Sequence, residues 1–347
     1  MHPQNLCAVA VSGGMDSLLA LLLLHEAGIP VLAIHGRFLP ATPDRVQREA
    51  ALEEICAAHG IALHVVPLEE QFRARVIHPF VRAYGEGRTP NPCALCNAAM
   101  KWGILWDAAR HLGAEALATG HYARWTKGRL LRGTDPRKDQ SYFLALVPPD
   151  RLAASHLPLG SATKDWVRQE LARRGITVPQ ERESQDICFV PDSYHHLMAQ
   201  HGYTDTPGPV VLADGTPVGR HHGLWRLTIG QRRGLGIAFR EPLFVLAKDP
   251  ATNTAVVGPK SATLAWGCTT EEANIFRPPH SWPHEISVQT SYRQKPQKAQ
   301  ARLEAHGRLR IRFHEPGPRP TPGQVAVLYA GDEVLAGGII ASSREHP

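Results

Sequence analysis

The chain has 347 residues, too many for one ordinary domain, and 43% of them are hydrophobic and 20% charged, as in a globular protein with a sizeable core. Its net charge of +6 permits an anionic partner without requiring one. The longest apolar run, residues 18–24, is much shorter than the roughly 20 residues of a membrane span. Six cysteines in so long a chain do not make a disulfide framework. We therefore expect neither a membrane nor a fibrous protein.

The N-terminus has no basic segment followed by an apolar core and a small-residue cleavage site. We therefore expect no export, a reducing cytoplasm as the compartment, and no membrane partner.

The first half of the chain alternates strands with helices. The predicted strands are residues 6–11, 31–35, 61–66 and 116–119, and the predicted helices are residues 17–27, 44–59 and 98–112. Strands that are separated by helices are typical of an α/β domain with a doubly wound parallel sheet.

After about residue 192 the sequence changes to short apolar runs among frequent glycines and prolines. Residues 308–313 alternate basic and apolar side chains, and residues 325–329 and 333–340 flank a predicted hairpin turn at 330–332. We predict a catalytic α/β domain over residues 1–192, a small central β-rich domain over 193–265, and a β-barrel over 266–347.

A turn with two glycines follows the first predicted strand. Residues 9–17 read Val-Ala-Val-Ser-Gly-Gly-Met-Asp-Ser and lead from a strand into a helix. Glycines let the backbone approach a phosphate closely, and the free N–H groups of the first helical turn bind an anion. The turn lacks the lysine of a Walker A loop, which excludes that kind of nucleotide site. A turn that binds nothing is the alternative, and the pattern favours a phosphate site.

The Ser-Gly-Gly-x-Asp-Ser pattern resembles the loop of the ATP pyrophosphatase superfamily, which splits ATP into AMP and pyrophosphate and has the adenine nucleotide alpha hydrolase fold. The resemblance implies that this loop holds the phosphates and Mg²⁺, and that two glycines after other strands lie near the adenine. The nucleotide-binding residues that it implies are Val9, Ala10, Val11, Ser12, Gly13, Gly14, Met15, Asp16, Ser17, Gly36 and Gly120.

Cys93 and Cys96 form a Cys-x-x-Cys pair just before a predicted helix. We expect Cys96 to lie near the helix N-terminus, where the pKa of a thiol is lowered. Half of a zinc site, a thioredoxin-like pair and a chance spacing are the alternatives, and the first two lack further ligands and a matching fold. Cys7, Cys56 and Cys268 lie in strand-like, helical and turn contexts, and we interpret them as packing residues.

Six further motifs follow the phosphate loop in order. They are NPCALCN (91–97), ATGHY (118–122), KDQSYF (138–143), DICF (186–189), TIGQRRGLG (228–236) and TPGQ (321–324). Together with the loop they resemble the bacterial tRNA-specific 2-thiouridylase family, from residue 9 to about residue 340. Members of that family replace O2 of the tRNA wobble uridine with sulfur.

The resemblance implies that ATP adenylates the uracil oxygen and that a cysteine persulfide then delivers sulfur. It makes Cys188 the sulfur carrier and Cys96 the second catalytic cysteine, which forms a disulfide with Cys188 when sulfur is released. Since these cysteines lie far apart in sequence, we expect a mobile segment around residues 183–190 to close over the site. The implied partners are a tRNA with a wobble uridine and a sulfur-donor protein, either a cysteine desulfurase or a sulfur relay.

Cys93 departs from the pattern, because some members have an aspartate there that is proposed as a proton acceptor. The Cys93 thiol cannot act as a carboxylate base, so the resemblance does not extend to that role. Cys93, Cys96 and Cys188 are therefore also candidate ligands of an iron–sulfur cluster with one open iron.

The tRNA surface is predicted from charge and from the resemblance. Residues 124–138 form a predicted loop with six basic residues against one aspartate, Asp135, which suits phosphate contacts. Arg232, Arg233 and the face of Arg308, Arg310 and Arg312 are further candidates. The resemblance implies contacts to the target base or to tRNA at Asn91, Pro92, Cys93, His121, Lys138, Asp139, Gln140, Ser291, Tyr292 and Gln324. The target uridine would be flipped into the pocket.

Two other functions compete with thiolation. Another ATP pyrophosphatase, such as an amidotransferase-type ligase, would need the phosphate loop but neither Cys96 nor Cys188. A non-catalytic tRNA- or metal-binding protein would bind its partner without releasing AMP.

Overall fold

The structure is a computed structural model, and it describes residues 5–176, 187–190 and 193–344. Its strands are β1 (Cys7–Ala10), β2 (Val31–Arg37), β3 (Leu63–Pro67), β4 (Ala116–Thr119), β5 (Ala123–Thr126), β6 (Arg129–Arg132), β7 (Ser155–His156), β8 (Gly208–Leu212), β9 (Pro217–His221), β10 (Phe244–Asp249), β11 (Thr254–Gly258), β12 (Leu264–Ile275), β13 (Ile286–Gln289), β14 (Gln297–Leu303), β15 (Arg308–Pro318), β16 (Val325–Ala330) and β17 (Glu333–Arg344).

Its α-helices are α1 (Met15–Glu26), α2 (Pro43–Ala58), α3 (Glu69–Phe72), α4 (His78–Gly85), α5 (Pro92–Cys96), α6 (Trp106–His111), α7 (Ser141–Leu144), α8 (Pro149–Ala153), α9 (Lys164–Arg173) and α10 (Tyr194–Gln200). Two π-helical segments, Arg73–Ile77 and Asn97–Leu105, lead from α3 into α4 and from α5 into α6, and the second has a kink at Gly103, whose φ and ψ are −93° and −109°. Within the described ranges, no helix is long and apolar enough to cross a membrane.

A five-stranded parallel sheet forms the first part of the structure, in the order β3-β2-β1-β4-β7. Alternate residues of β1 face opposite sides: Cys7 and Val9 pack with α1, whereas Ala8 packs with the cluster around Trp102. The predicted α/β fold is confirmed. β1 has β2 on one side and β4 on the other, so the strand order reverses at β1, and ligands of such sheets bind outside the carboxyl ends of the strands at this point.

The central part is a four-stranded sheet in the order β10-β11-β8-β9. Its small core contains Val210, Leu224, Val245 and Val257. These residues come from the short apolar runs that the sequence shows between its glycines and prolines.

The last part is a closed barrel of strands β12, β15, β14, β13, β16 and β17, which closes because β17 also pairs with β12. Cys268 of β12 lies opposite Ile311 on one neighbour and Ser343 on the other. The predicted β-barrel is confirmed. The alternation of β15 is confirmed as well, since Leu309, Ile311 and Phe313 are buried between more exposed arginines.

The segment predicted as a basic loop at residues 124–138 is largely a β-hairpin, so that prediction was wrong. β5 pairs with β6, and Lys127 and Gly128 form the two-residue turn with φ of 50° and 72°. β6 then extends the barrel sheet, because Leu131 lies opposite Glu333 of β17. Leu130 is fully buried. The contact with the distant β17 stabilises the hairpin, and local sequence does not reveal it.

The arginines of this hairpin and of the turn after it pair with carboxylates. The pairs are Arg124–Asp332 at 3.0 Å, Arg129–Glu333 at 3.8 Å, Arg132–Asp139 at 2.8 Å and Arg137–Asp135 at 3.2 Å. The positive field that residues 124–138 offer to a phosphate is therefore weaker than their composition indicates.

The Asp139 carboxylate is buried and accepts four hydrogen bonds. It accepts from the backbone N–H groups of Gly133 and Ser141, each at 3.0 Å, from the Ser141 hydroxyl at 3.0 Å, and from Arg132 at 2.8 Å. Its side chain therefore holds the turn between β6 and α7, and only 8% of it is exposed to a partner such as tRNA.

The variant Asp139→Ala is expected to lower the free energy of unfolding by about 3 kcal/mol, because it leaves buried donors and a partly buried guanidinium without an acceptor. Urea unfolding followed by circular dichroism measures the loss. Glu241→Ala, at an exposed position, is the control and should change stability by less than about 0.5 kcal/mol. Equal stability of the two variants would contradict a structural role for Asp139.

Candidate functional site

The phosphate loop follows β1 and leads into α1. Gly13 has a φ of +79°, a conformation that favours glycine, and α1 begins at Met15. The Ser17 hydroxyl accepts the Ser12 N–H at 3.0 Å and donates to the Gly14 carbonyl at 3.0 Å. These bonds hold the loop in a curve at the N-terminus of α1. The other predicted residues are Val9 and Ala10 in β1 and Val11 directly after it.

Asp16 in the first turn of α1 is held by two residues from distant parts of the chain. The Tyr122 hydroxyl donates to its carboxylate at 2.6 Å, and the Lys164 ammonium bonds to both carboxylate oxygens at 2.7 and 2.9 Å. Lys164 is the first residue of α9 and is 4% exposed. Sequence analysis missed Lys164, because nothing in its local sequence distinguishes it from other lysines.

The two predicted adenine-site glycines lie at the carboxyl ends of strands. A Cβ on Gly120 would lie 2.5 Å from the backbone carbon of Asp16, so only glycine fits between β4 and α1. A Cβ on Gly36 would lie 2.7 Å from the ring of Phe38. Next to Gly36, His35 is hydrogen-bonded to the Val11 carbonyl at 2.7 Å, which joins the end of β2 to the phosphate loop.

The Cys-x-x-Cys pair lies on α5, which begins earlier than the predicted helix. Asn91 caps α5 by accepting the Ala94 N–H at 3.1 Å, and Pro92 is its buried first residue. Cys93 is exposed and Cys96, the last residue of α5, is half-buried. The helical run therefore starts at residue 92 rather than at residue 98.

The expected lowering of the Cys96 pKa is wrong. Burial raises the pKa of the Cys96 thiol to about 12, and the positive charge of Lys101 opposes this rise only in part. Burial likewise raises the pKa of Cys93 and of Cys188, whose side chains reach solvent but are closely surrounded by protein. Desolvation of the thiolates is therefore the largest cause of all three shifts.

Alkylation of Cys96 by iodoacetamide is expected to speed up about tenfold per pH unit between pH 7 and 9. A raised pKa leaves the thiol almost wholly protonated in this range, so the reactive thiolate fraction grows in proportion to hydroxide. Mass spectrometry of the free protein measures the rate at Cys96. A rate that levels off below pH 9 would contradict the raised pKa.

Lys101 is a second candidate site residue that sequence analysis missed. It lies five residues after Cys96 in the π-helical segment, and its charge partly opposes the rise in the pKa of Cys93, Cys96 and Cys188 that burial causes. π-helical turns, with their i to i+5 hydrogen bonds, occur frequently at functional sites. The only sign in the sequence is that a lysine follows Cys96 by five residues. In an α-helix, residues five apart do not lie on the same face, so this spacing does not by itself predict proximity.

His121 connects Lys101 to the end of β4. Its Nε2 lies 3.5 Å from the Lys101 ammonium, and its Nδ1 lies 2.8 Å from the Thr119 hydroxyl. Burial, with a further contribution from Lys101, lowers the pKa of His121 well below its usual value. The ring is therefore neutral, with Nε2 accepting from the ammonium and Nδ1 donating to Thr119.

Cys188 lies near the Cys-x-x-Cys pair. The charge of Cys93 raises the pKa of Cys188, and the charge of Cys188 raises that of Cys96. All six cysteines are free, and the predicted packing residues Cys7, Cys56 and Cys268 are buried. Among the described residues, no three histidine, cysteine or acidic side chains are grouped closely enough to hold a metal ion. Residues 183–186, the first part of the predicted closing segment, lie outside the described residues.

The barrel contributes two predicted tRNA-contact residues to this region. The Tyr292 ring lies 4.3 Å from the Phe143 ring, and burial, with smaller effects from Asp139 and Cys93, raises the Tyr292 pKa. The Gln324 amide donates to the Thr89 carbonyl at 2.9 Å and to the Pro90 carbonyl at 3.2 Å. The barrel therefore holds the segment just before the cysteine helix.

The other predicted tRNA residues are less accessible than expected. Gln140 accepts the Tyr122 N–H at 2.9 Å, and His121 is buried beside Trp102. Lys138 and Ser291 are half-buried.

Comparison with known proteins covers the whole chain. Family models match residues 5–192 (tRNA methyl transferase HUP domain), residues 196–259 (tRNA methyl transferase PRC-barrel domain) and residues 266–340 (Aminomethyltransferase beta-barrel domain). Two solved structures share 15% identity, a predicted subunit of tRNA methyltransferase from Methanocaldococcus jannaschii and an NH3-dependent NAD synthetase from Campylobacter jejuni. Their TM-scores are only 0.32 and 0.31, too low to indicate a shared fold.

Curated relatives match along nearly their full length. The chain is 50% identical to the tRNA-specific 2-thiouridylase MnmA of Oleidesulfovibrio alaskensis, over 96% of this chain and 99% of that protein. It is 48% identical to the protein of the same name from Nitratidesulfovibrio vulgaris, strain Miyazaki F, over 96% and 98%. It is 42% identical to the protein of the same name from Lawsonia intracellularis, over 96% of this chain and 99% of that protein. The domain descriptions mention methyl transfer, but the full-length relatives share one name, and by them this chain belongs to the tRNA-specific 2-thiouridylase family.

Proposed function

We propose that this protein catalyses the ATP-dependent 2-thiolation of the wobble uridine of tRNA. The observation that carries the proposal is a physical link between the phosphate loop and the cysteines. Tyr122 bonds to Asp16 of the loop, while its neighbour His121 contacts Lys101, whose charge acts on the cysteines. ATP and sulfur chemistry would therefore share one centre, which a ligase or a binding protein does not need.

In the first proposed step, O2 of the uracil attacks the α-phosphorus of ATP and pyrophosphate leaves. The curved loop around Ser12 and Ser17 and the N-terminus of α1 would bind the phosphates. Asp16 suits Mg²⁺, because its carboxylate is partly exposed and phosphate oxygens would supply further ligands. The metal would neutralise charge on the phosphates. The buried Lys164 ammonium offsets the negative charge of Asp16 beside a polyanion.

In the second proposed step, the terminal sulfur of a Cys188 persulfide attacks C2 of the uracil and AMP leaves. The thiolate of Cys96 then attacks the Cys188 sulfur, which breaks the persulfide S–S bond and leaves sulfur on the base. A Cys96–Cys188 disulfide forms, and an external thiol reduces it before the next turnover. Lys101 would favour the negative charge on the sulfur atoms.

The proposal extends to partners and domains. tRNA would lie where the barrel meets the α/β part, with contacts among the predicted residues from Asn91 to Gln324. A cysteine desulfurase or a sulfur relay would load Cys188, and the protein would work in the cytoplasm. We also propose that the chain divides into three domains, with boundaries at residues 192 and 265.

An iron–sulfur cluster on Cys93, Cys96 and Cys188 is the alternative route for sulfur. In the part of the chain that the structure describes, these three cysteines are not grouped closely enough to ligate a cluster, so their positions do not support this route. Anaerobic purification and an absorption spectrum decide between the two routes. A colourless, iron-free and active enzyme would exclude the cluster.

Purified protein, unmodified tRNA, ATP and a cysteine desulfurase with cysteine test the proposed function directly. Nucleoside mass spectrometry should detect 2-thiouridine at the wobble position, with AMP released in equal amount. AMP release without 2-thiouridine would favour an amidotransferase-type ligase. tRNA binding without AMP release would favour a binding protein.

A further inference from the structure

Cys188 lies at the corner of a tight turn. The backbone N–H of Val190 donates to the Ile187 carbonyl at 2.9 Å, so Cys188 and Phe189 occupy the two central positions. Cys188 reaches solvent, whereas Val190 is buried and Ile187 packs against the same apolar cluster. Three of the four residues of the turn therefore anchor it, and the fourth is the thiol.

The Phe189 ring packs against two other aromatic rings. Its centroid lies 5.7 Å from that of Phe72 and 5.2 Å from that of Phe80, with interplanar angles of 77° and 87°. These are edge-to-face arrangements, which aromatic rings prefer. Both partners are buried and belong to the continuous helical run of residues 69–85. The turn is thereby attached to a rigid part of the α/β fold.

We propose that Phe189 is a positioning residue, which holds the Cys188 thiol toward Cys96 by packing its ring against Phe72 and Phe80. This inference rests on the proposed function for its biological meaning, but the geometry it concerns is measurable without tRNA. A disulfide requires two Cα atoms within about 4.4–6.8 Å. A turn that is held by its neighbours limits the positions that the Cys188 thiol can take relative to Cys96, and a released turn spreads the thiol over many positions.

The test measures the equilibrium between the free thiols and the Cys96–Cys188 disulfide in glutathione buffers. Glutathione disulfide is the oxidant, and two glutathione molecules form for each protein disulfide. Mass spectrometry of trapped protein gives the equilibrium constant. Phe189→Ala is expected to lower it at least tenfold and to lower single-turnover 2-thiouridine formation similarly, with dissociation constants for ATP and tRNA unchanged within about twofold.

Phe189→Tyr retains the ring and should restore both quantities. Phe239→Ala removes an exposed phenylalanine of the central part and is the matched control. If Phe189→Ala does not fold, the same measurement is made on Phe80→Leu, which removes one ring partner and should lower the constant at least threefold. A folded variant with an unchanged disulfide constant overturns the inference. If the wild type makes no 2-thiouridine, the proposed function fails, while the disulfide constants still decide the role of Phe189.

Discussion

Cys96→Ser and Cys188→Ser are each expected to form 2-thiouridine more slowly by a factor on the order of 10³ or more. A serine hydroxyl carries no persulfide sulfur, and it does not cleave an S–S bond at neutral pH. Both variants should still bind ATP and tRNA within about twofold of the wild type, because neither side chain belongs to the phosphate loop. Single-turnover assays with nucleoside mass spectrometry measure the loss.

Cys56→Ala is the matched control, since Cys56 is a buried cysteine of α2 outside the site and burial raises its pKa to about 11. Its thiolation rate should stay near that of the wild type. Cys93→Ser gives further resolution: it should retain activity on the persulfide route and lose it if Cys93 ligates a cluster. Thiolation that survives both Cys96→Ser and Cys188→Ser would disprove the proposed mechanism.

Lys164→Met is expected to weaken ATP binding by about 100-fold. It removes the ammonium that bonds to both oxygens of Asp16, and it leaves that carboxylate uncompensated beside the phosphate site. Two like charges about 5 Å apart at an effective dielectric constant of about 20 repel by about 3 kcal/mol, which corresponds to a factor of this size. Equilibrium dialysis with ATP in the absence of Mg²⁺, where no metal ion offsets the charge of Asp16, measures the dissociation constant.

Lys260→Met replaces an exposed lysine of the central part and is the control. The double variant Asp16→Asn with Lys164→Met should bind ATP better than Lys164→Met alone, because the uncompensated charge is gone. Unchanged ATP affinity in Lys164→Met would show that Asp16 and Lys164 do not act as a charge-compensated pair.

The contiguous parts of the site were predictable from sequence. The proposed phosphate loop lies within residues 9–17, and one strand and one helix determine the local geometry of its glycines, hydroxyls and carboxylate. The parallel sheet and the barrel were predictable for a similar reason, since apolar periodicity reflects which faces become buried.

The lysines of the site were not predictable, because their meaning depends on contacts between distant segments. Lys164 bonds to Asp16, which lies on another helix, and a π-helical turn brings Lys101 within the influence of the cysteines. The prediction of a lowered Cys96 pKa was wrong for a related reason. The position of a residue in a helix is a local property, whereas its burial depends on all the segments that pack around the thiol. Asp139 matched a motif, yet its carboxylate faces inward.

The sheet shared by the first and last parts of the chain has a consequence for synthesis. β6 finds its neighbour in β17, where Leu131 lies opposite Glu333, far later in the chain. Domains generally fold as they leave the ribosome, N-terminal first. Here the parallel sheet can form early, but the hairpin and the turn that Asp139 holds gain the support of β17 only after that strand has been synthesised. Until then this edge of the structure lacks the strand that pairs with β6.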